Sequence, residues 1–276
     1  MGELACVNGE IMPINSASIY IEDRGYQLGD GIYEVIASYG GVLFTLQEHL
    51  ERMKKSAELI RMKMNHSVPE LSAICQRVFE ASELDEAMVY VQLTRGVSPR
   101  QHNIPSTYDP VLVVTVREKP APPETARVIT TEDLRWKLCC VKSTNLLPNV
   151  LAREEAADQG CDEAVFIREG KLMEGASTNI FIVKKGRIYT PPADNLILEG
   201  ITRNTVLQLI DNLNFPVEER YIKAQELFTA DEAFLTGTLQ EVTPIVEVDG
   251  LKINDGRPGS YTERIVEAYQ RLVNSL

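Results

Sequence analysis

The chain has 276 residues, 44% hydrophobic and 25% charged, a globular composition long enough to bury a sizeable core without covalent staples. Its 28 Lys and Arg against 40 Asp and Glu leave a formal net charge of −12 with no basic run, which excludes nucleic acid as a partner and means that an anionic substrate must be met by a local basic cluster. Cys6, Cys75, Cys139, Cys140 and Cys161 form no CxxC pair and His49, His66 and His102 no ligand pair, so a disulfide frame and a metal site are excluded; with no basic-then-apolar leader and no membrane-length apolar stretch, a cytoplasmic location is expected.

In chain order, residues 4–21 alternate around an Asn8-Gly9 turn and predict a hairpin. Gly25, Gly29 and Gly31 then interrupt EDRGYQLGDGIYEV. Ile32–Tyr39 and Val42–Thr45 read as strands joined by Gly40-Gly41. Leu46–Ile60 and Val68–Ser82 read as helices, the first from the spacing Leu46, Leu50, Met53, Ala57, Ile60. Ala87–Arg95 and Pro110–Arg117 are strands. KPAPPE, with three prolines in residues 119–124, reads as an extended linker. A smaller α/β domain over 1–118 and a larger one over 125–276 are therefore expected.

Past the linker, Ala126–Thr131 and Lys137–Val141 read as strands, and Leu146–Gln159 as a helix that stops at Gly160. Glu163–Arg168, Ser177–Lys184 and Arg187–Thr190 are strands. Thr202–Leu213 and the shorter Ala224–Thr229 are helices. Glu232–Leu235 and Ile245–Val248 are strands, and Glu263–Ser275 closes the chain as a helix. Mixed strands and helices in both halves predict an α+β protein of two domains with the site at their interface.

Lys142 ends the apolar run WKLCCVKS. A lysine leaving a buried strand is partly desolvated, which lowers its pKa and frees the amine as a nucleophile; the same pattern also fits a strand-end lysine snorkelling to water. Glu174, in MEGASTNIFIV, precedes a small-residue turn and can face a pocket or solvent. Gly200-Ile201-Thr202-Arg203 opens a helix, offering unpaired N–H groups and a hydroxyl to a phosphate, or Thr202 simply as an N-cap. Thr236-Gly237-Thr238 follows the strand EAFL, where small hydroxyl residues close around phosphate or make an ordinary turn. RGVSPRQHN places Arg95, Arg100 and His102 within eight residues, a carboxylate trap or a solvated basic loop.

These segments occur in an order that resembles the class IV, fold-type IV pyridoxal-5′-phosphate (PLP) aminotransferases, and among them the D-amino-acid aminotransferases. The resemblance runs through EDRGYQLGDGIYEV, FTLQEHLER, TRGVSPRQH, VKSTNLLPNVLA, EGASTNIF, LEGITR and TGTLQEVTP, nearly the whole chain. It implies that Lys142 is the Schiff-base lysine and proton shuttle, and that Glu174 is the acid at the pyridine nitrogen. Arg52, Ile201, Thr202 and Thr238 are implied as phosphate ligands, with Ser177 and Thr178 beside the cofactor. Tyr33, Arg100 and His102 are implied as the substrate-carboxylate trap, the latter two supplied across a homodimer interface. Amino acids and 2-oxo acids are the implied substrates, exchanged by ping-pong transamination. Ala176-Ser177-Thr178 stands where the D-specific enzymes carry a run of serines, and TGTLQE leans toward the branched-chain pattern, so pocket size and substrate range are open. A branched-chain L-amino-acid or (R)-amine transaminase and an aminodeoxychorismate lyase share the fold; the SPRQH segment favours the D-specific reading.

Overall fold

The structure, a computed structural model, describes residues 2–276. The chain forms two compact units. The first comprises residues up to Pro120 together with Val141–Asn145 and Leu276, and the second comprises Ala121–Cys140 and Leu146–Ser275. The sequence reading placed residues 125–276 in one continuous domain; the short segment Val141–Asn145 instead packs with the first unit. The reason lies in its backbone. Tyr33 N donates to Lys142 O at 3.0 Å, Thr144 N donates to Gly31 O at 3.0 Å, and Ser143 bridges Ile32.

The first unit contains β1 (Leu4–Val7), β2 (Glu10–Pro13), α1 (Arg24–Leu28), β3 (Gly31–Tyr39), β4 (Val42–Leu43), α2 (Leu46–Leu59), α3 (Val68–Ser82), β5 (Ala87–Thr94) and β6 (Val111–Glu118). Its six strands pair in the order β2-β1-β6-β5-β3-β4, all antiparallel. α2 buries His49, Leu50, Met53, Ser56 and Ala57, a stripe at helical spacing, and lies on β3. Removing Leu50 and Met53 from water contributes about 1.5–3 kcal/mol each. α3 starts at a capping box in which Ser67 and Glu70 exchange bonds, with Pro69 in the first turn. The α2 stripe therefore holds two polar side chains, His49 and Ser56, facing the sheet.

The second unit contains β7 (Ala126–Glu132), α4 (Leu147–Asp158), β8 (Glu163–Arg168), β9 (Lys171–Gly175), β10 (Asn179–Lys184), β11 (Arg187–Thr190), α5 (Ile201–Asn212), β12 (Val217–Glu219), β13 (Ile222–Lys223), α6 (Ala224–Leu227), β14 (Glu232–Gly237), β15 (Glu241–Val248), β16 (Leu251–Lys252) and α7 (Ser260–Val273). The ten-stranded sheet runs β12-β11-β10-β14-β15-β7-β8-β9-β13, with β16 on β15. The β15–β7, β7–β8 and β11–β12 pairs are parallel and the others antiparallel. One core joins Val128, Val165, Leu172, Ile180, Leu235 and Ile245, all at most 2% exposed. A second joins Ala152 and Ala156 of α4 to Ile129, Phe166 and Met173.

Two differences from the sequence reading bear on the site. Lys137–Val141 is not a strand. Arg168 donates to the carbonyls of Arg135 and Trp136, Cys139 N donates to Asn195 O, and Asn195 donates back to Lys137 O, so side chains and a loop take the backbone groups that a ladder would use. Lys171–Gly175, which was not assigned, is the strand β9, and it carries Glu174 in its buried run.

Candidate active site

Lys142 is half-buried in the irregular segment that joins the first unit. Ser56 Oγ accepts from its backbone N–H at 3.3 Å, and its Nζ stands 4.4 Å from the centroid of the Tyr33 ring. An ammonium over a ring face is held by the ring quadrupole and by partial desolvation. Tyr33 in turn stacks on Tyr90 at 5.4 Å, and burial, with Tyr33 adding to it, pushes the Tyr90 hydroxyl up to about 12. The lysine thus leaves no buried strand; one helix hydroxyl and one aromatic face orient it.

Beneath this segment lies a buried charge cluster. Glu34 sits in β3 with no solvent exposure. Arg52 donates to it through Nε at 2.8 Å and Nη2 at 2.7 Å, and His49 Nδ1 lies 2.7 Å from the same carboxylate. Burial raises the Glu34 pKa, but Arg52 and then His49 outweigh it and hold the carboxyl at about 2. Burial lowers the His49 pKa against the pull of Glu34, and the charges of Arg52 and Lys142 lower it further. The cluster is therefore an ionised Glu34–Arg52 pair with a neutral imidazole beside it. The family resemblance pointed to Arg52; Glu34 and His49 were not assigned. The signal was present: Glu34 shares strand parity with Ile32 and Ile36, and an acid on the apolar parity needs a partner.

Arg100 and His102 are exposed on the loop between β5 and β6, whereas Arg95 is buried. Arg95 donates to Asp30, to the Ile60 and Arg61 carbonyls and to the Tyr108 hydroxyl. The basic run thus separates into one structural arginine and two exposed side chains, Arg100 and His102.

In the second unit, Glu174 is the hub. Arg135 Nη1 donates to it at 2.5 Å, Asn179 Nδ2 at 3.1 Å, and Leu198 N at 3.0 Å. Arg135 is itself fixed by Asp133 through Nε and Nη2, and its guanidinium lies 4.3 Å from the centre of the Phe166 ring. Burial pushes the Glu174 carboxyl up and Arg135 opposes it. A carboxyl that retains its proton above the usual range can share that proton with a heterocyclic nitrogen.

Ser177 and Thr178 lie on the turn between β9 and β10, and a buried Glu163 holds it. That carboxylate accepts from Ser177 N, from Ser177 Oγ at 2.7 Å and from Thr178 Oγ1, while Arg153 Nη1 stands 3.2 Å away. Asn149 Nδ2 donates to Ala176 O at 2.7 Å. Ile201 and Thr202 form the first turn of α5, whose N-cap is Gly200 with no side-chain cap; Thr202 is therefore not the cap. The leading N–H groups have no partner within the helix and carry its positive end. Gly200 is required by close approach: a Cβ there would stand 2.0 Å from Asn179 Oδ1. Asn179 is the cross-strand partner of Thr236, and the Thr236 hydroxyl is buried with no hydrogen-bond partner among the described residues. Thr238 follows in the turn after β14.

An uncapped helix start, an orphaned hydroxyl and two further threonines are the kind of groups that a phosphate would need, and Glu174 is the kind of acid that a ring nitrogen would need. These residues fit PLP. Of the residues singled out in sequence, Lys142, Tyr33, Arg52, Arg100 and His102 belong to the first unit, and Glu174, Ser177, Thr178, Ile201, Thr202 and Thr238 to the second. Asp133, Arg135, Glu163 and Asn179 were not singled out, because their roles rest on partners far away in the chain.

Comparison with known proteins gives a consistent picture. The D-alanine aminotransferase of Staphylococcus epidermidis is 38% identical over 274 residues, 98% of this chain and 97% of that protein. That of Bacillus licheniformis is 39% identical over 272 residues, 97% and 96%. Among solved structures, the branched-chain amino acid aminotransferase from Escherichia coli superposes with a TM-score of 0.91 at 27% identity, covering 99% and 95%. The branched-chain amino acid aminotransferase from Thermobaculum terrenum, in its PLP-bound holo form, gives 0.88 at 26%, covering 99% and 94%. The pattern of the amino-transferase class IV family matches residues 31–248, so the chain belongs to that family.

Proposed function

We propose that the protein is a PLP-dependent D-amino-acid transaminase, moving the amino group between a donor such as D-alanine or D-glutamate and a 2-oxo acid such as α-ketoglutarate or pyruvate. The observation that carries the D-specific reading is the near-full-length identity to D-alanine aminotransferases, combined with the exposed Arg100 and His102 of SPRQH. When bound, PLP supplies an electrophilic carbon for the amino group and an electron sink for the charge left on the α-carbon.

The chain's own residues divide the remaining work. Lys142 would hold the cofactor through its amine and, once displaced by the substrate amine, would take the proton from the substrate α-carbon and give it back; the Tyr33 ring lies 4.4 Å from that amine. Glu174 would keep a proton on the ring nitrogen. Its bonds from Arg135, Asn179 and Leu198 prevent it from swinging away. Thr202, the Ile201 N–H, Thr236 and Thr238 would take the phosphate, with Ser177 and Thr178 alongside, and Arg52, which Glu34 holds, would add a cation. Arg100 and His102 bind the substrate carboxylate, which sets which face of the α-carbon meets Lys142 and hence the chirality accepted.

The same reading makes the protein a homodimer, with Arg100 and His102 serving the neighbouring subunit. Its support is an apolar surface run in the first unit: Tyr20 and Ile21 are 77% and 76% exposed, beside Ile19 and Tyr26. A cytoplasmic location belongs to this proposal too, supported by five unpaired cysteines; among the described residues no helix is long and apolar enough to cross a membrane. The branched-chain enzymes among the structural relatives and the TGTLQE segment favour a second reading, an L-branched-chain transaminase. Purified enzyme given α-ketoglutarate and either D-alanine or L-leucine separates the two. Pyruvate from D-alanine with no turnover of L-leucine is expected; turnover of L-leucine alone overturns the D-specific assignment.

A further inference from the structure

The DRGYQLGDG stretch ahead of β3 is drawn into neither the cofactor nor the substrate sets above, yet it holds a buried knot of charges. Arg24 is 3% exposed. Its Nε donates to Asp30 Oδ2 at 2.9 Å, and its Nη1 donates to the Gln101 carbonyl at 2.8 Å. Gln101 is the residue between Arg100 and His102. Asp30 Oδ2 also accepts from Arg95 Nε at 2.8 Å, and Arg95 reaches Tyr108 near the far end of the loop. The base of the loop is closed as well. Arg24 N donates to Gly96 O, Ser98 N donates to Glu22 O, and Gly96, at φ +92°, packs so that a Cβ would fall 1.9 Å from Asp109 O. The same stretch grips the Lys142 segment, for Gly29 O accepts from Thr144 Oγ1 at 3.1 Å and from Asn145 Nδ2 at 2.9 Å.

Arg100 and His102 lie two residues apart on a loop without regular structure, so they can share one carboxylate only while the backbone between them keeps a single conformation. The Gln101 carbonyl is the point at which a buried guanidinium takes hold of that backbone. We infer that Arg24, braced by Asp30, is a positioning residue for substrate-carboxylate recognition: it fixes the Gln101 peptide and thereby aims Arg100 and His102. This inference rests on reading those two residues as the carboxylate trap.

The test is Arg24→Lys in the PLP-loaded enzyme. Lysine keeps the charge beside Asp30 but lacks the planar fork that bridges Asp30 and Gln101 O together. Two donors are compared, D-alanine and a primary amine without a carboxylate, the amine half-reaction being followed by cofactor absorbance. Hydrogen exchange of residues 97–109 is measured in parallel. For D-alanine, KM rises on the order of tenfold with kcat nearly unchanged, the effect of a contact misplaced by less than about 1 Å. The amine reacts as with wild type, and exchange accelerates within 97–109 only. An unchanged KM with unchanged exchange overturns the inference, and so does an equal loss with both donors, which marks a general structural defect. Arg100→Ala/His102→Ala keeps the two readings apart. If that double variant leaves KM for D-alanine intact, the carboxylate trap fails, and the exchange arm alone decides whether Arg24 orders the loop. If it raises KM, adding Arg24→Lys to it raises KM no further, and an additive rise contradicts the inference.

Discussion

Arg135 joins two carboxylates that water does not reach. Replacing it with Met keeps most of the volume against Phe166 and removes the charge. The guanidinium donates to Asp133 at 2.9 and 3.0 Å and to Glu174 at 2.5 Å, and the side chains of Asp133 and Glu174 are 0% and 6% exposed. Breaking a buried ion pair by deleting one partner costs about 3–5 kcal/mol, because the other charge stays desolvated. At about 2–4 °C per kcal/mol for a chain of this size, Tm falls on the order of 10 °C. The deficit depends on pH. Burial raises the Asp133 pKa, but Arg135 outweighs it and leaves it lowered in the native protein, so its contribution is present above the usual aspartate range and is lost as pH falls. Glu174 is already raised by burial, and without Arg135 it rises further, so in the variant its ionisation opposes folding more strongly as pH climbs. The gap between wild type and Arg135→Met is therefore wider at about pH 7 than at about pH 3, below the ordinary aspartate value of 3.8. Thermal unfolding of the cofactor-free protein at both values measures it. A gap of less than about 2 °C, or one that does not change with pH, refutes the reasoning.

Other expectations follow from the same contacts. Glu34→Gln removes a carboxyl held at about 2 against an ordinary value of 4.5, a contribution present above 4.5 and lost as pH falls through 2. Urea unfolding should show a deficit on the order of 3 kcal/mol at neutral pH that shrinks toward about pH 3, and a constant deficit contradicts the ion pair. Thr236→Val deletes a hydroxyl without a partner, so the cofactor-free protein keeps or gains up to about 1 kcal/mol, while PLP binding by equilibrium dialysis weakens about tenfold; lost stability with unchanged binding contradicts the phosphate role. Gly200→Ala drives a Cβ into Asn179 Oδ1, displacing the amide that serves Glu174 and Leu198 O, and costs about 1–3 kcal/mol in thermal unfolding. A neutral Gly200→Ala shows that Asn179 has room to move.

The elements themselves were largely legible because they depend on local spacing. The α2 stripe, the helix over Val68–Ser82, the Gly160 stop after α4 and the strand that begins at Ala87 all stand in the sequence and in the structure. What was not legible depends on partners distant in the chain. The residues around Lys142 read as the end of a buried strand because Leu138, Cys139 and Val141 are apolar; Leu138 is 43% exposed, and Arg168 and Asn195 satisfy the backbone instead. Arg135 reads as a surface charge in TTEDLRWK until Glu174, 39 residues later, comes beside it. Arg24 and Gln101 meet across 77 residues, and no short-range pattern records that contact. Polar residues inside the core were thus the hardest to assign, since their burial is stable only through partners that the fold supplies.

The central claim is that Lys142 carries the cofactor. Reducing the PLP-loaded protein with borohydride, digesting it and locating the phosphopyridoxyl group by mass spectrometry tests this directly, with Lys142→Ala as the control. The label is expected on the peptide containing Lys142 in wild type and on none in the variant, which gives up the contact of Nζ with the Tyr33 ring. A label on another lysine, or one that persists in Lys142→Ala, contradicts it.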